Sequence, residues 1–230
     1  MSFQDKVVVV TGDAQGIGKC CAECFEREGA RVHVIDIQPG PWFVGDLADK
    51  SVLERFAAGV ISKSGHVDVI VNNAMQLFKG IDECTYEEFA YAQAVGVVAP
   101  FYLVKLFKDH FAEGASIINI SSSRDRMSQP QSESYTAAKA ALPCSRTRLP
   151  RAWPGASASI RSRRAGSTLR SRPILDLTLR STWPVASAIR STLQTWFSSS
   201  PRTRRASSRA KTSYPLIKYV TKTLTDKSTI

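Results

Sequence analysis

No run in the 230 residues approaches the eighteen or so consecutive apolar residues that a membrane span needs. The amino terminus also lacks the basic segment, apolar run and small-residue cleavage site of a secretory leader. A cytoplasmic protein that does not engage a membrane is expected. Cysteine is sparse: Cys20, Cys21, Cys24, Cys84 and Cys144 sit singly or within apolar helical patterns, without zinc-ribbon spacing. They read as reduced thiols, with no disulfide framework and no metal site.

Acidic residues and glycine nearly vanish after Leu142. From residue 143 onward there are 18 Lys and Arg against two acids, Asp176 and Asp226, and only two of the 13 glycines. Residues 1–142 carry the opposite balance, 13 Lys and Arg against 18 Asp and Glu. The overall charge of +11 therefore belongs wholly to the second stretch. A hydrophobic content of 43% supports one sizeable core, and the length is short for two ordinary domains. The organisation expected is a folded part at 1–142 and a basic Arg/Ser/Pro-rich segment at 143–230.

The first part alternates strands with helices. Lys6 to Thr11 is a β-branched run suited to a strand buried on both faces, ending at Gly12. Gly16-Ile17-Gly18 opens a helix that stops at Gly29, and Arg31 to Asp36 is a second strand. Trp42 to Leu47, Val67 to Val71 and Ser116 to Ser122 read as further strands; Val52 to Ile61, Tyr86 to Phe111 and Ser134 to Leu142 read as helices. Such alternation predicts an α/β, Rossmann-like, doubly wound parallel sheet, whose ligands lie at the carboxyl ends of the strands. Glycines between the first strand and helix let backbone amides approach a pyrophosphate, with the positive helix end aimed at it. Asp36, at a strand end about twenty residues on, suits ribose hydroxyls and repels a 2′-phosphate, which favours NAD over NADP.

Thr11-Gly12-Asp13-Ala14-Gln15-Gly16-Ile17-Gly18, Asp46-Leu47, Asn72-Asn73-Ala74, Ile120-Ser121-Ser122 and Tyr135-Thr136-Ala137-Ala138-Lys139 occur together in one order and spacing. In these five motifs the first 142 residues resemble a classical short-chain dehydrogenase/reductase. The resemblance implies cofactor binding by Gly12, Gln15, Gly16, Ile17, Gly18, Asp36, Asp46, Leu47, Asn72, Ala74, Tyr135 and Lys139, with NAD as the cofactor. It implies catalysis by Ser122, Tyr135 and Lys139, a small-molecule alcohol or ketone as substrate, and a homo-oligomer if the fold is complete. Tyr135 would exchange a proton with the substrate oxygen, Lys139 would lower the tyrosine pKa and bind the nicotinamide ribose, and Ser122, thirteen residues before Tyr135, would hydrogen-bond that oxygen. A spacing of four places Tyr135 and Lys139 on one helix face. A phenol of reference pKa about 10 must fall by roughly 3 pH units, about 4 kcal/mol, to act near neutrality, and a neighbouring ammonium is a suitable cause.

Two positions depart from the pattern. Met75 follows Asn73-Ala74 where the family usually has glycine, and Gly96 stands where a catalytic asparagine usually lies. Glycine offers no amide, so any proton relay through that position must be organised differently. Arg124 to Pro130 is expected to border the substrate pocket.

After Leu142 the resemblance stops. The strands and the Pro-Gly loop that should follow are missing or disrupted as written, and Pro143, Pro150 and Pro154 are expected to break the Tyr–Lys helix. Arg161-Ser162-Arg163-Arg164 and Arg202-Thr203-Arg204-Arg205 cannot be buried in a sheet without partners for their charges. A shifted reading frame accounts for the change. Codons TCG CGC CGG GCT GGA TCG ACA CTN for Ser162 to Leu169, read one nucleotide earlier after an A, give Ile-Ala-Pro-Gly-Trp-Ile-Asp-Thr. The same offset restores family-like words from Ser145 to Gly155, Ala158 to Arg161, Thr192 to Ser199 and Ala206 to Thr212. The shift is placed near Leu142 to Cys144.

Three functions follow. The first is an NAD-dependent oxidoreductase moving hydride between nicotinamide and a secondary alcohol or ketone. The second is a catalytically impaired dinucleotide-binding fragment. The third, a basic tail binding nucleic acid, ranks last because the tail lacks interleaved aromatics and frame error explains its arginines, so no nucleic-acid partner is expected.

Overall fold

The computed structural model describes residues 3–75, 79–120, 122, 128–144, 157–164 and 173–179. Seven strands form one sheet in the order β3-β2-β1-β4-β5-β6-β7. They are β1 (Val7–Thr11), β2 (Arg31–Asp36), β3 (Phe43–Val44), β4 (Val67–Asn72), β5 (Phe111–Ile120), β6 (Ser157–Arg164) and β7 (Pro173–Leu179). All neighbours run parallel except β7, which is antiparallel to β6. The helices are α1 (Gly16–Arg27), α2 (Lys50–Ser64), α3 (Tyr86–Gln93), α4 (Ala99–Phe107) and α5 (Glu133–Cys144). A π-turn at Ala94–Val98 joins α3 to α4.

β1 shows why the sheet is covered on both faces. Side chains alternate along a strand, and its four valines, all buried, divide between two cores. Val7 and Val9 join Phe56, Val60, Leu103 and Phe107 beneath α2 and α4. Val8 and Val10 join Ala22 and Phe25 of α1 on the other side. Each buried valine contributes on the order of 1.5–3 kcal/mol.

Several boundaries differ from the sequence reading. The third strand shrinks to two residues. The long helix ends at Phe107 and β5 starts at Phe111; its pairing with β4 shifts register between Val67 and Val69, and Gly114 within it holds φ at 77°. The helical stretch Tyr86–Phe107 does reach membrane-spanning length and apolarity by composition, with a mean hydropathy of 1.4. Its buried side, Ala92, Val95, Ala99, Leu103 and Phe107, recurs at the three- and four-residue spacing of a helix packed on a sheet.

Of the expectations about the second stretch, the end of the helix holds and the absence of further strands is corrected. α5 closes at Cys144, five residues after Lys139 and one beyond Pro143, in keeping with the expected break soon after the Tyr–Lys pair. Strands exist beyond Leu142: β6, which includes Arg161-Ser162-Arg163-Arg164, pairs through its backbone with Pro173 to Asp176 of β7. Backbone pairing explains this. The open edge of β5 presents unpaired amides and carbonyls, which an extended segment of any composition can satisfy. Pro150 and Pro154, the expected Pro-Gly loop around 165–169, and 192–212 lie outside the described residues.

Candidate active site

The sheet order reverses direction between β1 and β4, the crevice where doubly wound sheets bind ligands. Thr11 ends β1, and its Oγ1 accepts from the backbone amides of Asn73 and Ala74, each at 3.1 Å. Asn73 Nδ2 donates to the carbonyls of Gly12, at 2.6 Å, and Thr11, at 3.2 Å. These bonds tie the two strand ends together. Gly12 holds φ at 76°, and an added Cβ would lie 2.8 Å from Ala74 Cα, so only glycine fits both the turn and the approach. α1 then begins without a side-chain cap or an acidic residue in its first turn, leaving its amide ends open to an anion.

A cavity of about 270 Å³ occupies this crevice. Of the residues expected from the sequence, Gly12, Gln15, Asp36, Asp46, Leu47 and Ala74 line it. Asp36 is buried and accepts from the amides of Ala14 and Gln38, both at 2.9 Å, which fixes its carboxylate at the rim of the turn. Asp46 accepts from the Ala48 amide at 2.8 Å, and the Tyr91 hydroxyl donates to both its oxygens at 3.0 Å. Burial and then the Asp46 carboxylate push the Tyr91 phenol up to about 12, so it remains a donor.

Other expected residues stand apart from the cavity. Gly16, Ile17 and Gly18 build the turn and the start of α1; Ile17 packs on the core, and Gly18 lies against the Gly12 carbonyl. Asn72 turns into the sheet, where its Nδ2 donates to Asn119 Oδ1 at 2.8 Å, and Asn73 takes the place on the cavity wall. Met75, marked in the sequence as a departure from the family pattern, lines the wall as well, and Ile37, Gln38, Gly45, Tyr91 and Val95 complete it without having been named as site residues from sequence. Apart from Met75, none of these belongs to a motif, though Ile37 and Gln38 directly follow Asp36. Among the described residues, no group of three or more His, Cys, Asp or Glu could hold a metal ion.

α5 carries the chemical groups. Its start is anchored by the Ser134 hydroxyl donating to the Lys79 carbonyl at 2.7 Å and by Gln93 Nε2 donating to the Ser134 carbonyl at 3.0 Å. One turn on, Lys139 is buried with 3% of its surface exposed, and its Nζ donates to the Ile120 carbonyl at the end of β5 at 2.6 Å. The same Nζ lies 5.6 Å from the centre of the Tyr135 ring. Burial pushes the Lys139 ammonium down to about 8. Ser122, buried, follows the same strand end by two residues. Tyr135, Lys139 and Ser122 thus gather at the carboxyl edge of β5. Ser121, Ser123 and Arg124 to Met127 lie outside the described residues.

Asp13, in the glycine turn, was not among the expected site residues. It is buried and its Oδ1 has no hydrogen-bond partner. Burial first, then the carboxylates of Glu26, Glu23 and Asp36, raise it to about 6. A raised carboxyl pKa means that the folded chain binds the proton more tightly than the unfolded one, so stability falls as pH climbs from about 4 to about 6 and stays reduced above. Asp13→Asn is expected to raise Tm at pH 8 by on the order of 2–4 °C and to change it little at pH 4. Thermal unfolding at both pH values checks this; an equal shift at both would remove Asp13 as its cause.

The profile of the short chain dehydrogenase family matches residues 6–149, well over half of the chain. The chain belongs to this family, whose members bind nicotinamide dinucleotides. It is 32% identical over 161 residues to an uncharacterized oxidoreductase of Thermotoga maritima, covering 62% of this chain and 63% of that one. It is 30% identical over 159 residues to the sorbitol dehydrogenase of Cereibacter sphaeroides, covering 62% of each. Among solved structures, a blue fluorescent protein from a metagenomic library in complex with NADPH is similar at a TM-score of 0.57 and 25% identity, covering 62% of this chain and 66% of that one. The chain thus spans less than two thirds of the length of the curated relatives it matches. The family match ends close to the change in composition after Leu142.

Proposed function

We propose that the chain is the nucleotide-binding and catalytic portion of an NAD-dependent oxidoreductase that moves hydride between nicotinamide and a secondary alcohol or ketone. The observation that carries this reading is the buried Lys139 ammonium 5.6 Å from the Tyr135 ring and bonded to the Ile120 carbonyl, two residues before Ser122, at the carboxyl edge of the sheet that also holds the Asp36 cavity. The residues present fit a dinucleotide. The open first turn of α1 suits a pyrophosphate, Asp36 suits ribose hydroxyls, and Asp46, with Tyr91 behind it, suits an amino donor on a base. The cavity falls just short of the roughly 300–1,000 Å³ of pockets that enclose a whole ligand, which suits one end of a long cofactor. A bound nicotinamide would supply the hydride acceptor or donor.

Tyr135 holds and releases the proton of the substrate hydroxyl, Lys139 stabilises its phenolate, and Ser122 orients the substrate oxygen. Asp36 supports NAD over NADP, since a buried carboxylate repels a 2′-phosphate; the NADPH of the similar metagenomic protein belongs to that protein. The name of the sorbitol dehydrogenase relative supports a polyol or related secondary alcohol. A cytoplasmic homo-oligomer acting on small molecules, without nucleic-acid or membrane partners, completes the reading.

A second reading is a fragment that binds cofactor without turnover. It is favoured by the family match ending at residue 149. It goes with the shifted frame, in which the segment from about Leu142 replaces an original that completes the enzyme. One preparation of the full chain tests both. NAD reduction with a panel of polyols and secondary alcohols is expected, with NADP at least tenfold poorer. NAD binding without reduction across the panel supports the fragment, and equal use of NADP removes Asp36 as the selector. Tryptic mapping of the same sample is expected to yield the Ile-Ala-Pro-Gly text; recovery of Arg/Ser-rich peptides from an active protein would sink the frame proposal.

A further inference from the structure

The two departures from the family pattern meet in space. A Cβ built on Gly96 would lie 2.9 Å from Met75 Sδ, 3.1 Å from Met75 Cε and 2.9 Å from Ala138 Cβ. Gly96 sits in the π-turn, buried, between α3 and α4. Ala138 is completely buried on α5, directly before Lys139 and three residues after Tyr135. Met75 also lines the cavity with Ala74 and Val95. One thioether therefore touches the cavity wall, packs on the π-turn, and reaches the place where that turn meets the helix of Tyr135 and Lys139.

The sizes are matched. Methionine is unbranched and fills irregular gaps, and only a residue without a side chain allows it this close to the helix backbone. A larger residue at 96 would have to displace Met75 into the cavity or push α5 away.

We propose that Met75 is a positioning residue whose thioether, seated on the Gly96 backbone, sets the spacing between the cofactor cavity and α5 and so places Tyr135 and Lys139 at the nicotinamide end. This rests on the cofactor reading above. A residue that sets this spacing governs the end of the cofactor that reaches toward α5 and leaves the adenosine end, held by Asp36 and Asp46, unaffected.

The test compares binding of NADH and of ADP-ribose to the full chain and to Met75→Ala, Met75→Leu, Gly96→Ala and the double variant, with thermal unfolding of each. Met75→Ala is expected to weaken NADH about 5–10-fold and ADP-ribose less than about twofold, and Met75→Leu to restore NADH. Gly96→Ala is expected to lower Tm and to regain part of the loss when combined with Met75→Ala. Equal weakening of both ligands by Met75→Ala, or an unchanged Tm in Gly96→Ala, overturns the proposal. Failure of the unaltered chain to bind either ligand overturns the cofactor reading, and this inference with it.

Discussion

Tyr135→Phe is expected to lower alcohol oxidation about 10²–10⁴-fold, the range that a positioned acid–base group contributes, while NADH binds within about twofold of the parent. The substitution removes one oxygen and leaves the ring against which Lys139 rests, so the buried ammonium keeps its surroundings. Steady-state rates and a fluorescence titration separate the two effects, and an unchanged rate takes Tyr135 out of the reaction. The pH profile carries a second sign. Lys139, lowered to about 8, is charged below that value and neutral above it, so its support of a phenolate declines as pH rises through about 8.

Gly18→Ala is expected to be the most damaging single methyl in the folded part. Its Cβ would overlap the Gly12 carbonyl oxygen and lie 2.5 Å from Asn73 Nδ2. That oxygen and that amide are hydrogen-bonded at 2.6 Å, so relieving the clash breaks the tie between β1 and β4. Overpacking costs about 1–3 kcal/mol and a broken buried hydrogen bond about as much again. Together these take a large share of the stability of a typical domain, and Tm should fall by on the order of 10 °C. Denaturation of the purified variant checks this; a Tm within about 2 °C of the parent would show that the turn moves freely.

The βαβ core was legible because its signals are local and agree. β1 is apolar on both faces, Gly12 needs its own backbone conformation, and Asp36 ends a strand. Asn72 and Asn73 show where legibility stopped. Consecutive residues at a strand end face opposite ways, and sequence does not fix which one leaves the ladder, so the residue on the cavity wall was off by one. Tyr91 was invisible because it meets Asp46 across 45 residues and belongs to no motif. Met75 and Gly96 were each visible as departures, but their contact is a fact of packing between the end of β4, the π-turn and α5. β6 escaped notice for a different reason: its place depends on backbone pairing, to which its serines and arginines give no clue.

The position of β1 bears on synthesis. It lies mid-sheet, with Val8 paired to Val32 on one side and to Val69 on the other. A nascent chain leaving the ribosome cannot close that centre until β4 has emerged, so early intermediates expose β1 along one whole edge. The groups assigned to chemistry all lie at or before residue 139 and the crevice is lined by residues no later than Val95, so both are complete in the chain ahead of the change in composition after Leu142, whichever frame follows it.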